Sequence, residues 1–248
     1  MRLPPILLAL LFLTGWLPAL QAATFDEANG AFAAGDYAKA TSALQELITR
    51  EGPSSARLFN LGNAHARLNQ YGPAILCYER AALLAPRDPD IQANLRLARG
   101  AAGSADGAAP RPWWESILHA CSLREWSWIT AAGAAVLGSL SLLWGITGFP
   151  RLRLRQSAAA GLIMALAATS LGGTALWQRR GEANLAIITA AEPVLRLSPF
   201  PEAGATGSPG TGRRVLTGTR SRGWVYLTVP GSTMGGWLPD NDVASLLP

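Results

Sequence analysis

The chain has 248 residues, 49% of them hydrophobic and 15% charged, with a formal net charge of +5. The arginines are spread along the sequence, and no basic run marks a nucleic-acid surface. Two cysteines and two histidines exclude a disulfide-rich scaffold and leave no sequence cluster with metal-ligand spacing. The first residues, Met1-Arg2, are followed by an apolar run from Leu3 to Leu17 and by small residues at Ala19, Ala22 and Ala23. A basic start, a short apolar stretch and a small-residue end form a secretory signal, residues 1–22, with cleavage expected after Ala22. The alternative is an uncleaved anchor; in both cases Thr24 onward is exported.

Residues 24–99 repeat themselves. Tyr37 and Tyr71 are 34 residues apart, as are Ala40 and Ala74, and Asn60-Leu61 returns as Asn94-Leu95. Leu58, Leu61, Gly62 and His65, followed by Ala74, Tyr78, Ala81 and Pro86, alternate small and apolar positions at helical spacing before a proline stop. This period and pattern resemble the tetratricopeptide repeat, an antiparallel helix pair. The first repeat departs from it, with Ala28 in place of the glycine and Glu51-Gly52-Pro53 one residue late. Pro89 to Arg99 reads as a capping helix.

The resemblance implies a concave face that binds extended or helical peptides, with Phe25, Asn29, Phe32, Phe59, Asn63 and Arg67 at the positions that face it. The alternative is that these six only pack the array or face water. Related carboxylate clamps use a lysine one turn before such an asparagine; Phe59 stands there instead. Cys77 is expected as a small core residue and not as a partner of Cys121.

Residues 100–125 connect the array to the apolar middle of the chain. Gly100–Pro112 is rich in alanine, glycine and proline and reads as a tether. Trp113-Trp114 opens a short amphipathic piece expected on a membrane surface, with His119 as an interfacial residue.

Two apolar stretches come next, Trp126–Phe149 and Ser157–Trp177, long enough for a bilayer core that needs about 20 residues. Trp126, Trp128, Trp144 and Trp177 bracket them at headgroup level. Two core helices of a soluble bundle are the alternative. Small residues recur every four positions at Ser157, Gly161, Ala165, Thr169 and Gly173, and at Thr130, Ala134 and Gly138. These rows suit packing of the two spans on each other, or else a dimer face. Arg151, Arg153 and Arg155 between the spans are expected on the cytoplasmic side. Both soluble parts then lie in the periplasm at a bacterial inner membrane. Arg179-Arg180 stand on that outer side against the usual bias.

Residues 184–248 carry short β-rich runs separated by turn residues: Ala186–Thr189, Pro193–Leu197, Arg214–Thr217, Gly223–Val229 and Gly235–Leu238. Five such strands fit a small barrel. Trp224 with alternating Val225 and Leu227, then Gly236-Trp237-Leu238, a short helical turn and a closing Val243–Leu246, resemble the bacterial SH3-like family. That resemblance implies a surface for peptides or cell-wall stems, with Trp224 and Trp237 as candidates; each could equally belong to the core.

The expected fold is a multidomain membrane protein: an α-helical tetratricopeptide array, a two-helix transmembrane hairpin and a small all-β SH3-like barrel. No nucleophile–base pair, metal cluster or phosphate loop appears in the sequence, so no catalytic residue, metal or cofactor is nominated and the chain is expected not to be an enzyme. This order of modules resembles the BatE-type aerotolerance family. The resemblance implies a non-enzymatic scaffold whose protein partners include von Willebrand A-domain membrane proteins beside a MoxR-type ATPase. The alternative is a sensor that binds peptidoglycan through the SH3-like domain.

Overall fold

The computed structural model describes residues 24–104, 117–147 and 152–247. The signal residues, Trp113-Trp114, Phe149 and Arg151 lie outside these ranges.

Five helices form the N-terminal array: α1 (Phe25–Ala33), α2 (Tyr37–Glu51), α3 (Ser55–Arg67), α4 (Tyr71–Leu84) and α5 (Pro89–Ala101). Their starts are set by side chains that satisfy otherwise orphaned amides. Thr24 and Glu27 make a capping box, Asp36 accepts from Lys39 N, Ser54 from Arg57 N, and Asp88 precedes Pro89 at the first turn of α5. The α1–α2 turn places Gly35 at φ 81° and the α3–α4 turn places Asn69 at φ 58°, so the left-handed turn position also recurs every 34 residues. At Gly62, a Cβ would come within 2.7 Å of Tyr78 Cε1. That contact is why α3 and α4 can approach so closely.

Helix α4 is apolar nearly all round, and it is buried on both sides. One side packs on α3 and α5. The other meets the C-terminal sheet, whose strands are β1 (Leu185–Ile188), β2 (Leu195–Arg196), β3 (Ala205–Gly207), β4 (Arg214–Ser221), β5 (Trp224–Thr228), β6 (Gly235–Pro239) and β7 (Val243–Ser245). All pairings are antiparallel and the order is β3-β2-β6-β5-β4-β1-β7.

Ala186, Ile188, Leu195, Val215, Val225, Leu227, Val229 and Leu238 form the core of the sheet. Ile187 faces the other way and joins Ala74, Ile75, Leu76 and Tyr78 of the array. Strand β1 is therefore buried on both faces, as its unbroken apolar sequence requires. The five-strand barrel read from sequence is instead an open seven-stranded sheet. Strand β3 lies in the glycine- and proline-rich stretch 199–212, which has no β-rich run to announce it. Edge strand β7 is covered by the array: Arg80 donates from Nη2 to Ser245 O at 2.7 Å and from Nε to Leu246 O at 3.3 Å.

A buried ion cluster fixes this docking. Glu79 on α4 is 2% exposed and sits between Arg99 of α5 and Arg214 of β4. Arg214 Nε donates to Glu79 Oε1 at 2.9 Å, and the Nη2 groups of both arginines complete the cluster. Burial alone would raise the Glu79 carboxyl; the Arg214 and Arg99 charges and their hydrogen bonds outweigh it and hold it below its ordinary 4.5. Backbone contact around the cluster is close. A Cβ on Gly72 would lie 2.8 Å from Thr189 O and 2.9 Å from Ile188 O.

Helices α6 (Leu123–Thr147) and α7 (Leu152–Gln178) form an antiparallel pair. A Cβ on Gly133 would lie 3.1 Å from Ala165 O, and one on Gly161 would lie 3.0 Å from Leu140 Cδ1. Gly172 meets Thr130 and the Trp126 carbonyl. The spans therefore pack on each other through Ala158, Gly161, Ala165, Thr169, Gly172 and Ala175, not through the strict four-residue row to Gly173. Four residues overshoot a helical turn by about 40°, so a fixed four-residue row rotates off the contact face.

Both helices are long and apolar enough to cross a membrane, with mean hydropathy 1.7 and 1.6, and only 6% and 17% of those spans are buried. Residues 152–155, read as loop, are the first turn of α7. Trp126, expected at headgroup level, is buried against Leu118 and Ala175, and its indole N–H donates to Leu118 O at 2.8 Å. Of the segment read as a tether from Gly100, Gly100 and Ala101 belong to α5, and Ser104 N donates to Arg99 O at 3.0 Å after Gly103 at φ 65°. Both cysteines are free, with Cys77 buried.

Because the Glu79 carboxyl is held below its unfolded value, its contribution is present above that value and lost as pH falls through the folded one. The protection of α4 and β1 amides against hydrogen exchange, relative to the free-peptide rate at each pH, is expected to fall together below pH 4.5. Glu79→Ala, which strands two guanidiniums, is expected to cost about 3–5 kcal/mol in urea unfolding. Gly72→Ala is expected to loosen the same interface without changing charge.

Candidate functional site

The array carries an open groove of about 620 Å³ between α1, α3 and α5, within the range of about 300–1,000 Å³ typical of ligand sites. Phe32, Asn63, Ala66, Arg67, Tyr78 and Leu97 contribute to its walls. Each is placed by helical periodicity. Asn63, Ala66 and Arg67 share one face of α3, and Asn94, Leu97, Ala98 and Ala101 share one face of α5 at the spacing i, i+3, i+4, i+7.

The floor is organised by amides. Asn63 Oδ1 accepts from the Tyr78 hydroxyl at 2.7 Å and from Asn94 Nδ2 at 2.8 Å. Thirty-four residues earlier the pattern recurs, where Asn29 Oδ1 accepts from Asn60 Nδ2 at 2.8 Å. Asn63 thereby keeps its amide donors available beside the groove. The exposed Arg67 guanidinium lies 6.0 Å from the Tyr37 ring centroid and supplies a cation at the rim. Leu97 is 71% exposed and supplies an apolar contact at the opposite rim. No acidic residue lines the groove among the described residues. The chemistry is that of donors and apolar surface, suited to a peptide backbone and an acceptor-bearing side chain.

Of the six residues named from sequence, Phe32, Asn63 and Arg67 line this groove. Phe25 packs on Ala28, Leu44 and Leu47 in the array core. Phe59 lies 6.0 Å from the Tyr78 ring, wedged between two core clusters, and Asn29 is engaged with Asn60. Sequence reasoning missed the α5 wall, although Asn94, Leu97, Ala98 and Ala101 mark one helical face, a second apolar-containing face beside the buried Ile91, Leu95 and Ala98.

On the sheet, Trp224, Tyr226 and Trp237 occupy the face opposite the Val225, Leu227 and Leu238 core. Tyr226 and Trp237 are cross-strand partners with ring centroids 5.6 Å apart. Neither tryptophan is a core residue.

The titratable groups of the array are structural. His65 is buried with Nδ1 2.7 Å from Gln70 Oε1; burial lowers its pKa against that hydrogen bond. Burial pushes the Cys77 thiol up to about 12, which removes it as a nucleophile. Among the described residues no group of three His, Cys, Asp or Glu side chains could hold a metal ion.

Asn63→Ala leaves the Tyr78 hydroxyl and the Asn94 amide without their acceptor. It is expected to cost about 1–3 kcal/mol in thermal or urea unfolding, and Tyr78→Phe less, since it removes one donor and leaves Asn63–Asn94 intact. Residues 55–88 match the tetratricopeptide repeat family, a protein-interaction module. No curated protein and no solved structure matches the chain.

Proposed function

We propose that the protein is a membrane-anchored, non-enzymatic adaptor. Its tetratricopeptide groove holds an extended segment of an envelope protein, and its hairpin keeps that groove at the membrane face. The observation that carries this reading is the groove itself, with the Asn63 donors and the Arg67 cation on one wall and the exposed Leu97 on the other. The exposed apolar surface of α6 and α7 supports insertion, since a soluble core helix would be covered. Likeness to BatE-type aerotolerance components favours partners among von Willebrand A-domain membrane proteins, with both soluble modules in the periplasm. Arg179, which stood against that orientation, is buried and donates to Cys121 O at 3.0 Å, so it acts as a structural clamp.

The outward Trp224, Tyr226 and Trp237 face supports a second reading, in which the sheet binds cell-wall stems. Stacking rings suit sugar or peptide planes. Co-sedimentation of the detergent-solubilised full chain with purified peptidoglycan, lost in Trp237→Ala, is the expected result; absence of pelleting by the unaltered chain rejects it.

A photo-crosslinking side chain at position 97 is expected to form discrete adducts with a membrane or exported protein, and one at Arg50 on the far side is not. In the chain carrying the position-97 probe, Arg67→Ala together with Ala101→Asp should reduce adduct yield by about tenfold, and unchanged adducts would reject the groove. Export-dependent reporters at both ends of the chain should both be active; one inactive end rejects the hairpin.

A further inference from the structure

The end of the hairpin where α6 begins and α7 finishes carries Arg87, Arg124, Arg179 and Arg180, with Glu125 at the start of α6 and Glu182 two residues beyond Arg180 in the chain. Two of these arginines are committed. Arg87 reaches from the α4–α5 turn to Glu125, whose other oxygen accepts from Ser122 N at 2.8 Å and Ser122 Oγ at 3.1 Å. Arg179 is 5% exposed and bonds the Cys121 carbonyl.

Arg124 and Arg180 remain. Both are exposed, and neither has an acidic partner among the described residues. Each has an indole close by in the chain toward the apolar span: Trp128 at i+4 from Arg124 on α6, and Trp177 near the end of α7, three residues before Arg180 in the 3-10 turn Arg179–Asn184 that follows the helix. These rings are 68% and 67% exposed, in contrast to Trp126, which is buried against Leu118 and Ala175. A guanidinium outside an indole, repeated at the ends of two adjacent helices, matches a phosphodiester above the top of an acyl chain.

We propose that Arg124 and Arg180, with Trp128 and Trp177, bind the headgroup phosphate of anionic phospholipids. The proposal rests on the reading of α6–α7 as a membrane hairpin. A zwitterionic headgroup carries its own ammonium, which the excess arginine charge disfavours. Free phosphate has no acyl chain to lie against the exposed indoles. The site also gives Arg180 a role distinct from that of its neighbour: it holds a lipid while Arg179 clamps the helix end.

The test is native mass spectrometry of the full chain released from micelles doped equally with phosphatidylglycerol and phosphatidylethanolamine of matched chains. Phosphatidylglycerol is expected to be retained about tenfold more, with the ratio falling to near one in R124Q/R180Q, intermediate in R180Q, and unchanged in R67Q. Equal retention by the unaltered chain, or an unchanged ratio in R124Q/R180Q, overturns the proposal. Displacement by excess inorganic phosphate overturns the lipid assignment in favour of a soluble anion. Alkaline carbonate washing separates the two levels: a chain that stays in the membrane without lipid preference refutes only the site, and a chain that washes out refutes the hairpin as well.

Discussion

Glu79 can be ionised at 2% exposure only because two guanidiniums from separate segments reach it. Arg99 arrives from the end of the array and Arg214 from the middle of the sheet, so the cluster exists in one relative placement of the two modules. Around it the approach is tight enough to demand glycine: Gly72 meets the β1 carbonyls, and a Cβ on Gly212 would collide with Ile75. Charge sets the register and apolar contact between Ile75, Ile187 and Tyr78 supplies the attraction.

This docking makes α4 a shared element. Tyr78 lines the groove through its hydroxyl and Asn63, and its neighbour Glu79 points to the opposite side and holds the sheet. Helix α5 is shared in the same way, with Asn94 and Ala98 in the groove and Arg99 in the ion cluster. The groove walls are thus braced from behind by a second domain. A short array of two repeats and a cap has few neighbours to stabilise it, and the sheet takes the place that further repeats would occupy.

Much of this was legible in the residues, and the limits are physical. The period of 34 located both helix pairs because each position has one structural demand, such as the small Gly62 under Tyr78. Spans and β runs were readable because length and alternation report directly on environment. Contacts between modules leave a fainter trace. The nearly all-apolar sequence of α4, broken by Glu79-Arg80, and the unbroken one of Leu185–Ile188 recorded burial on two sides, but they do not name the partner. Strand β3 carries no β-rich signal at all, and the groove was half visible: α3 gave Asn63 and Arg67 through repeat position, while Phe25 and Phe59 turned inward because local apolar neighbours outcompeted solvent.

The Arg80 contact with the last strand has a consequence for the order of biosynthesis. The array and hairpin leave the ribosome before the sheet, so the surface of α4 is in place when the C-terminal strands emerge. Strand β7 comes last and finds its outer carbonyls already matched by a waiting guanidinium. The helical module is in this sense a template for finishing the sheet. Cut away from that template, the C-terminal segment would present a bare strand edge and the apolar Ile187 side of β1 to its own copies, a surface prone to edge-to-edge association.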